Sequence, residues 1–103
     1  MLPQTSGIYS ITTIQGKVYY GSAINFKERL ELHMCLLRHK RHYNKTIQKA
    51  YNKYKDHGFI FRIEMECKRK DLLKNEQKYL DMFYSQPQCL NVARFATSPL
   101  GKA

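Results

Sequence analysis

Apolar and polar positions change their period several times along the chain, and each change marks an element. Residues 7–13, GIYSITT, alternate, with Ile8, Ser10 and Thr12 on one side and Tyr9, Ile11 and Thr13 on the other. Their β-branched and aromatic content predicts a strand. After the Gly-bearing break IQGK the run KVYYGSA resumes strand character, so the pair predicts an antiparallel hairpin. Gly21 follows at once and permits a close approach that a side chain would block. The period then lengthens. Phe26, Leu30, Met34 and Leu37 form one helical stripe, predicting a helix from about Phe26 to His39 capped by Ser22 or Asn25. Arg29 and His33 form a second row about 100° further round, where a cleft-facing pair would lie.

A second helix is expected from about Asn44 to Lys55, with Lys45, Lys49 and Lys53 on one face and Ile47, Ala50, Tyr51 and Tyr54 on the other. Gly58 suits its C-terminal cap. FIFRIEMEC alternates again, with Phe59, Phe61, Ile63 and Met65 on one side, and predicts a third strand. A third helix is expected from Asp71 to about Tyr84, stopped before Pro87, followed by the short closing segment QCLNVARFA. The order ββααβα indicates an α/β (α+β) sandwich on one small antiparallel sheet. Residues 1–96 are expected to form the domain, and 97–103 a tail or truncated linker.

Composition narrows the class. A chain of 103 residues, 43% hydrophobic and 25% charged, suits one globular domain. No apolar run is long enough to span a membrane, and the start MLPQTSGIYS lacks the features of a signal peptide. Cys35, Cys67 and Cys89 form no CxxC pair, which disfavours a zinc knuckle or disulfide framework and makes a reducing, cytoplasmic setting the default.

Charge changes the picture most. Eighteen Lys and Arg against eight Asp and Glu leave a formal net charge of +10, which favours polyanions: nucleic acid, an anionic membrane or an acidic protein. Arg38, Lys40, Arg41, Lys45, Lys49, Lys53 and Lys55 follow one another with no acid between them. His39, His42, Tyr43, Tyr51 and Tyr54 are interleaved, as on a surface that pairs with phosphates and covers sugars or bases. Lys68, Arg69 and Lys70 add a second basic turn. A solvated helix face normally mixes both signs, and this one does not.

One carboxylate stands in the wrong place. Glu76 falls inside the stripe of Leu72, Leu73, Tyr79, Leu80 and Phe83 on the third helix. A buried carboxylate is costly unless it is paired, hydrogen-bonded or bound to a metal. Taken singly, Glu76 reads as a structural ion pair, Tyr9 and Tyr19 as hairpin rings, and Arg29 with His33 as a surface row. His42 reads as part of the basic stretch and Asn91 as a turn cap. Together they supply the parts of a phosphodiesterase site in one small basic domain.

These residues resemble the GIY-YIG nucleases. Gly7-Ile8-Tyr9 matches the first signature element, and Tyr19-Tyr20-Gly21 matches the second with Tyr at its variable centre. The resemblance continues through Arg29, His33, Glu76 and Asn91 and covers about Ser6 to Ala93. SGIY, VYYGSA, the spacing of Phe26, Arg29 and His33, His42, and NKYKDHGFIF are most similar to the homing-endonuclease branch. It implies a three-stranded antiparallel sheet flanked by helices and a DNA endonuclease of weak or short intrinsic sequence preference. The implied catalytic set is Tyr9, Tyr19, Arg29, His33, His42, Glu76 and Asn91. Tyr9 would accept or relay the proton of the attacking water, and Tyr19 would position water or phosphate. Arg29 would neutralise phosphate oxygens, and His33 would contact phosphate or relay a proton. Asn91 would orient its neighbours. Glu76 would hold one divalent cation, Mg²⁺ foremost and Mn²⁺ as the alternative. Arg38, Lys40, Arg41, Lys45, Lys49, Lys53, Lys68, Arg69 and Lys70 would bind DNA, alongside an additional DNA-binding domain or protein. The alternatives are an inactive nucleic-acid-binding module, a ribonuclease on the same fold, and a small basic interaction protein.

Overall fold

The hairpin turn is made possible by Gly16, whose φ of +84° lies in the left-handed region that side chains disfavour. Thr13 N–H donates to the Lys17 carbonyl at 2.8 Å and Gly16 N–H to the Thr13 carbonyl at 2.9 Å, closing the tip. The turn joins β1 (Gly7–Thr13) to β2 (Val18–Ala23). The computed structural model describes residues 3–91. The expected domain limit at residue 96 and the tail 97–103 lie outside those residues, as do Val92 and Ala93.

The chain continues through α1 (Phe26–Arg38), α2 (Lys45–Tyr54), β3 (Phe59–Glu66) and α3 (Leu72–Phe83), with a one-turn helix at Lys55–Gly58 and another at Arg69–Asp71. β3 pairs antiparallel with the free edge of β1, giving the sheet order β2-β1-β3. The ββααβα order and the three-stranded antiparallel sheet are those expected. Two caps start helices where propensity alone would not: Asn25 Oδ1 accepts from Glu28 N–H at 3.1 Å, and Asn44 Oδ1 from Ile47 N–H at 3.2 Å. Asn25, not Ser22, is therefore the cap of α1.

Because β1 is the central strand, it is buried on both faces rather than on one. Tyr9 and Ile11 join Ala23, Phe26, Leu37, Ile47 and Tyr51 in a cluster formed with α1 and α2, flanked by Phe59, Phe61 and Ile63 of β3. Each fully buried aliphatic or Phe side chain contributes about 1.5–3 kcal/mol by leaving water. On the opposite face α3 lies against β2 and β1, and Ile8, Leu72 and Leu80 are buried. Ser10 is buried too, its hydroxyl donating to Glu64 at 2.7 Å. A bulge between Ile8 and Tyr9 shifts the β1–β3 register, so that Ile8 faces Met65 while Tyr9 faces Ile63. The shift brings Phe61 and Ile63 into line with Tyr9 on the face that α1 and α2 cover.

Three expectations need correction. His33 does not flank the buried stripe of α1 but lies within it: Phe26, His33 and Leu37 are its buried residues, while Leu30 and Met34 are half-buried. Leu73 is exposed, and Asn75 takes its place among the buried residues of α3. Gly58 is not the cap of α2; Lys55 occupies that position at φ 55°, ψ −136°. Gly58 is required for a different reason, since a Cβ there would stand 2.6 Å from the Ala50 carbonyl oxygen. No helix among the described residues is long and apolar enough to cross a membrane.

The conformation of Lys55 is one that glycine adopts freely, and a side chain held there costs about 1–3 kcal/mol. Glycine returns part of this, about 0.5–1 kcal/mol, as extra unfolded-state entropy. Lys55→Gly should therefore stabilise the domain by roughly 1 kcal/mol, raising the melting temperature by about 4–8 °C. Gly58→Ala should lower it. Calorimetry on both variants checks the pair.

Candidate active site

The register of the hairpin sets Tyr9 opposite Gly21, and Tyr19 opposite Ile11, so the two tyrosines are diagonal neighbours on one face. Their ring centroids lie 6.4 Å apart at 45°, tilted rather than stacked. The Tyr9 ring lies across Gly21: a Cβ on that glycine would stand 2.6 Å from the Tyr9 hydroxyl and 2.7 Å from Cζ. On its other side Tyr9 stacks on Phe61 at 4.8 Å. Tyr9 is 1% exposed, and Tyr19 is half-buried at the mouth.

Behind Tyr9 runs a chain of hydrogen bonds. Its hydroxyl lies 2.7 Å from His33 Nε2, His33 Nδ1 lies 2.8 Å from His42 Nε2, and Asn44 N–H donates to His42 Nδ1 at 3.0 Å. His42 returns to α1 because the helix ends in a tight reversal, with Lys40 in the left-handed region at φ 58°. There Arg41 N–H donates to the Leu36 carbonyl at 2.8 Å and Lys40 N–H to the Leu37 carbonyl at 3.1 Å. His33 is 1% exposed and His42 is 6% exposed. Burial pushes the His33 pKa down to about 3, aided by His42 and Arg29, and burial also lowers that of His42. Both rings are therefore neutral at pH 7. Tyr43, exposed, stacks on His42 at 4.5 Å and brings its hydroxyl to 3.3 Å from that of Tyr19.

Glu76 reaches the same region from the opposite layer. Its Oε1 accepts from the Ser22 hydroxyl at 2.6 Å, while among the described residues Oε2 accepts no hydrogen bond. Burial raises the Glu76 pKa, while the Ser22 hydroxyl and Arg29 pull it down. Arg29 also lowers Tyr9 and Tyr19 against a larger upward push from burial, so both phenols keep their protons above the ordinary tyrosine range. Among the described residues the one ion pair is Lys27–Glu31 at 4.0 Å; Arg29 and Glu76 do not form one. A cationic and an anionic side chain thus share an electrostatic environment without neutralising each other in a pair. The donor chemistry of Glu76 fits a hard cation: one carboxylate oxygen is fixed and the other is free, with a hydroxyl behind. No group of three His, Cys, Asp or Glu side chains suited to a metal occurs among the described residues, so water and phosphate oxygens would complete the shell.

Asn91 holds the backbone of β2. Its amide accepts from Tyr20 N–H at 2.9 Å and donates to the Tyr20 carbonyl at 2.6 Å, clasping β2 between Tyr19 and Gly21. Segment 88–90 runs beside it along the outer edge of β2, with Val18 N–H donating to the Gln88 carbonyl and Leu90 N–H to the Val18 carbonyl. The structure therefore brings together Tyr9, Tyr19, His33, His42, Arg29 and Glu76, with Asn91 fastening the strand that carries Tyr19.

The basic residues Arg38, Lys40 and Arg41 are exposed at the end of α1, Lys45, Lys49 and Lys53 along α2, and Lys68, Arg69 and Lys70 before α3. A groove of about 290 Å³ between α2 and the hairpin tip is lined in part by Lys17, Lys49, Lys53 and Tyr54. Four contributors escaped the sequence reading as site residues: Ser22, Tyr43, Asn44 and Gln48. Ser22 and Tyr43 could have been found from their neighbours, one beside Gly21 and the other beside His42. Asn44 acts through its backbone, and Gln48 meets the His42 segment only through the fold, so neither carries a local signal.

Comparison with known proteins bears on the same residues. The family model described as the GIY-YIG catalytic domain matches residues 5–87. A solved structure of the catalytic domain of intron endonuclease I-TevI, in a mutant form, matches at 30% identity. It covers 89% of this chain and 96% of that one with a TM-score of 0.75. A second structure of the catalytic domain of homing endonuclease I-TevI matches at 27% identity, 86% and 99% coverage and a TM-score of 0.72. No curated protein sequence matches the chain. With its signature tyrosines on one hairpin, and Arg29 and Glu76 beside them, the chain belongs to the GIY-YIG nuclease family.

Proposed function

We propose that the domain is a DNA endonuclease that hydrolyses phosphodiester bonds with one divalent cation, Mg²⁺ foremost, held at Glu76. The observation that carries this reading is the Arg29–Glu76 pair left unjoined beside Tyr9 and Tyr19. A cation there would neutralise phosphate charge and support the departing 3′ oxygen. Arg29 offers its planar donor fork to phosphate oxygens as charge builds in the transition state. Tyr19, at the mouth, positions the water or the phosphate. Tyr9 is assigned as the group that takes the water's proton as the O–P bond forms. Burial keeps the Tyr9 proton on in the free domain; Arg29 works against it, and positive charge added beside Glu76 works in the same direction as Arg29. Among the described residues Glu76 is the one carboxylate whose charge bears on Tyr9 and Tyr19, which favours one metal over a bridged pair.

The exposed lysines bind phosphates without reading bases, which suits weak or short sequence preference in the domain alone. The likeness to the catalytic domain of I-TevI supports a homing-type role in which site choice rests with a further DNA-binding region. Duplex DNA is the favoured substrate, and cleavage of RNA under the same conditions is the outcome that would replace it with a ribonuclease.

Supercoiled plasmid should be cut with Mg²⁺ and left intact in chelator, and Glu76→Ala should abolish cutting. A variant that cuts as well as wild type would remove Glu76 from the site. Glu76→Gln should lose cleavage yet melt higher than wild type in metal-free buffer at neutral pH, because it keeps an acceptor for Ser22 and sheds a partly buried charge. The folded-state pKa of Glu76 is raised, so the wild type loses stability as pH climbs through that range. The advantage of the Gln variant should therefore be small in acid and grow toward neutral pH. Binding to duplex DNA should weaken steeply with salt. Replacing Lys45, Lys49 and Lys53 together by Ala should flatten the slope of log K against log salt by about 2–3.

A further inference from the structure

The buried hydrogen-bond chain behind Tyr9 has only one consistent arrangement of protons. A backbone N–H can only donate, so Asn44 N–H makes His42 Nδ1 an acceptor. His42 is then neutral with its proton on Nε2, since an imidazolium carries a hydrogen on both nitrogens. That proton points at His33 Nδ1, 2.8 Å away, which must accept it. By the same logic His33 is neutral with its proton on Nε2, pointing at the Tyr9 oxygen 2.7 Å away. The opposite direction would leave His42 without a proton on either nitrogen, an imidazolate that neutral water does not support.

Water has little access to offer either ring another partner, since His33 is 1% and His42 is 6% exposed. The segment that presents Asn44 N–H is held on three sides. His42 N–H donates to Gln48 Oε1 at 2.9 Å, and Gln48 Nε2 donates to the Leu37 carbonyl at 3.0 Å. Asn44 Nδ2 donates to the Leu90 carbonyl at 3.0 Å while its Oδ1 caps α2.

We infer that Asn44 N–H, acting through His42 and His33, fixes the tautomers of both rings so that the Tyr9 oxygen accepts a hydrogen bond from within and its own hydrogen faces the cleft. His42, Asn44 and Gln48 are positioning residues in this arrangement. His33 is a donor to Tyr9, never the acceptor of its proton. Taking that proton would require a free lone pair on His33 Nε2, a nitrogen that already carries a hydrogen. When Tyr9 loses its proton, the inward N–H remains and stabilises the phenolate, as an oxyanion donor does. The tautomer assignment stands on the hydrogen bonds alone; its effect on cleavage rests on the nuclease reading above.

Long-range ¹H–¹⁵N correlation spectra of the metal-free domain at pH 7 test the assignment. Both His33 and His42 should carry hydrogen on Nε2 and show Nδ1 as an unprotonated acceptor. Hydrogen on Nδ1 of either ring, or an imidazolium, would overturn the inference. His42→Ala and His42→Gln then separate donation from bulk, since the glutamine amide can still donate toward His33 Nδ1. In His42→Ala, His33 should lose its single tautomer, and kcat for plasmid cutting should fall at least about 100-fold at unchanged KM. In His42→Gln the Nε2–H form of His33 should persist and most of the lost rate should return. An alanine variant that keeps both the tautomer and the rate would sink the proposal. If the wild type cuts no plasmid, the nuclease reading fails while the ring-nitrogen spectra still decide the tautomers.

Discussion

The site depends on one close approach, the Tyr9 ring lying across Gly21. Register sets the two residues opposite each other on adjacent strands, and any side chain at residue 21 would occupy the space of the Tyr9 hydroxyl. With that space open, the phenol stays on the face that α1 and α2 cover, stacks on Phe61 and brings its oxygen to His33. The bulge between Ile8 and Tyr9 serves the same end from the β3 side, because it aligns Tyr9 with the inward row of Phe61 and Ile63. A backbone constraint on β2 and a register shift between β1 and β3 together aim one oxygen.

Holding that oxygen in place makes the core partly polar by construction. His33, His42, Asn44 and Gln48 occupy positions between α1, α2 and β1 that apolar residues would fill at lower cost. Each is tolerated because its partners are present; no buried side-chain nitrogen or oxygen among the described residues lacks one. A fully connected network of this kind rigidifies, whereas a network missing one member leaves a buried group without a partner. The two halves of the site differ accordingly. The Tyr9 half is dry, neutral and locked, while the Arg29–Glu76 half is more open and keeps its charges apart. In the proposed reaction, positioning would fall to the first and charge stabilisation to the second.

Much of this was legible in the sequence. Alternation located all three strands and helical spacing all three helices, because burial enforces those periods wherever one face meets the core. Glu76 stood out as a charge among apolar neighbours, and Gly21 as a glycine beside two aromatic residues. The misses share a cause. His33 appeared to flank the stripe of α1 because periodicity treats histidine as polar, yet a histidine with both nitrogens hydrogen-bonded can be buried. Leu73 and Asn75 exchanged places for a related reason, since hydropathy along α3 does not reveal which residues the sheet covers. Lys55 took the place expected of Gly58 because the chain turns through a strained lysine before it reaches the glycine. Asn44 and Gln48 were invisible as site residues because they act through a main-chain N–H and a side chain aimed at a segment six residues away.

The direction of the histidine chain bears on why a tyrosine, with so high a proton affinity, occupies this position. The phenol of Tyr9 cannot pass its proton inward, and burial prevents its loss in the free domain. Arg29 already pulls its proton affinity down, and further positive charge on the cleft side beside Glu76 would lower it more. On the proposed assignment of Tyr9 as the base, coupling it to charge on that one side would make proton transfer conditional on an occupied site. If, as proposed, the basic surface binds DNA without reading it, such conditionality would limit cutting to phosphates seated in the cleft, where electrostatic attraction alone would not.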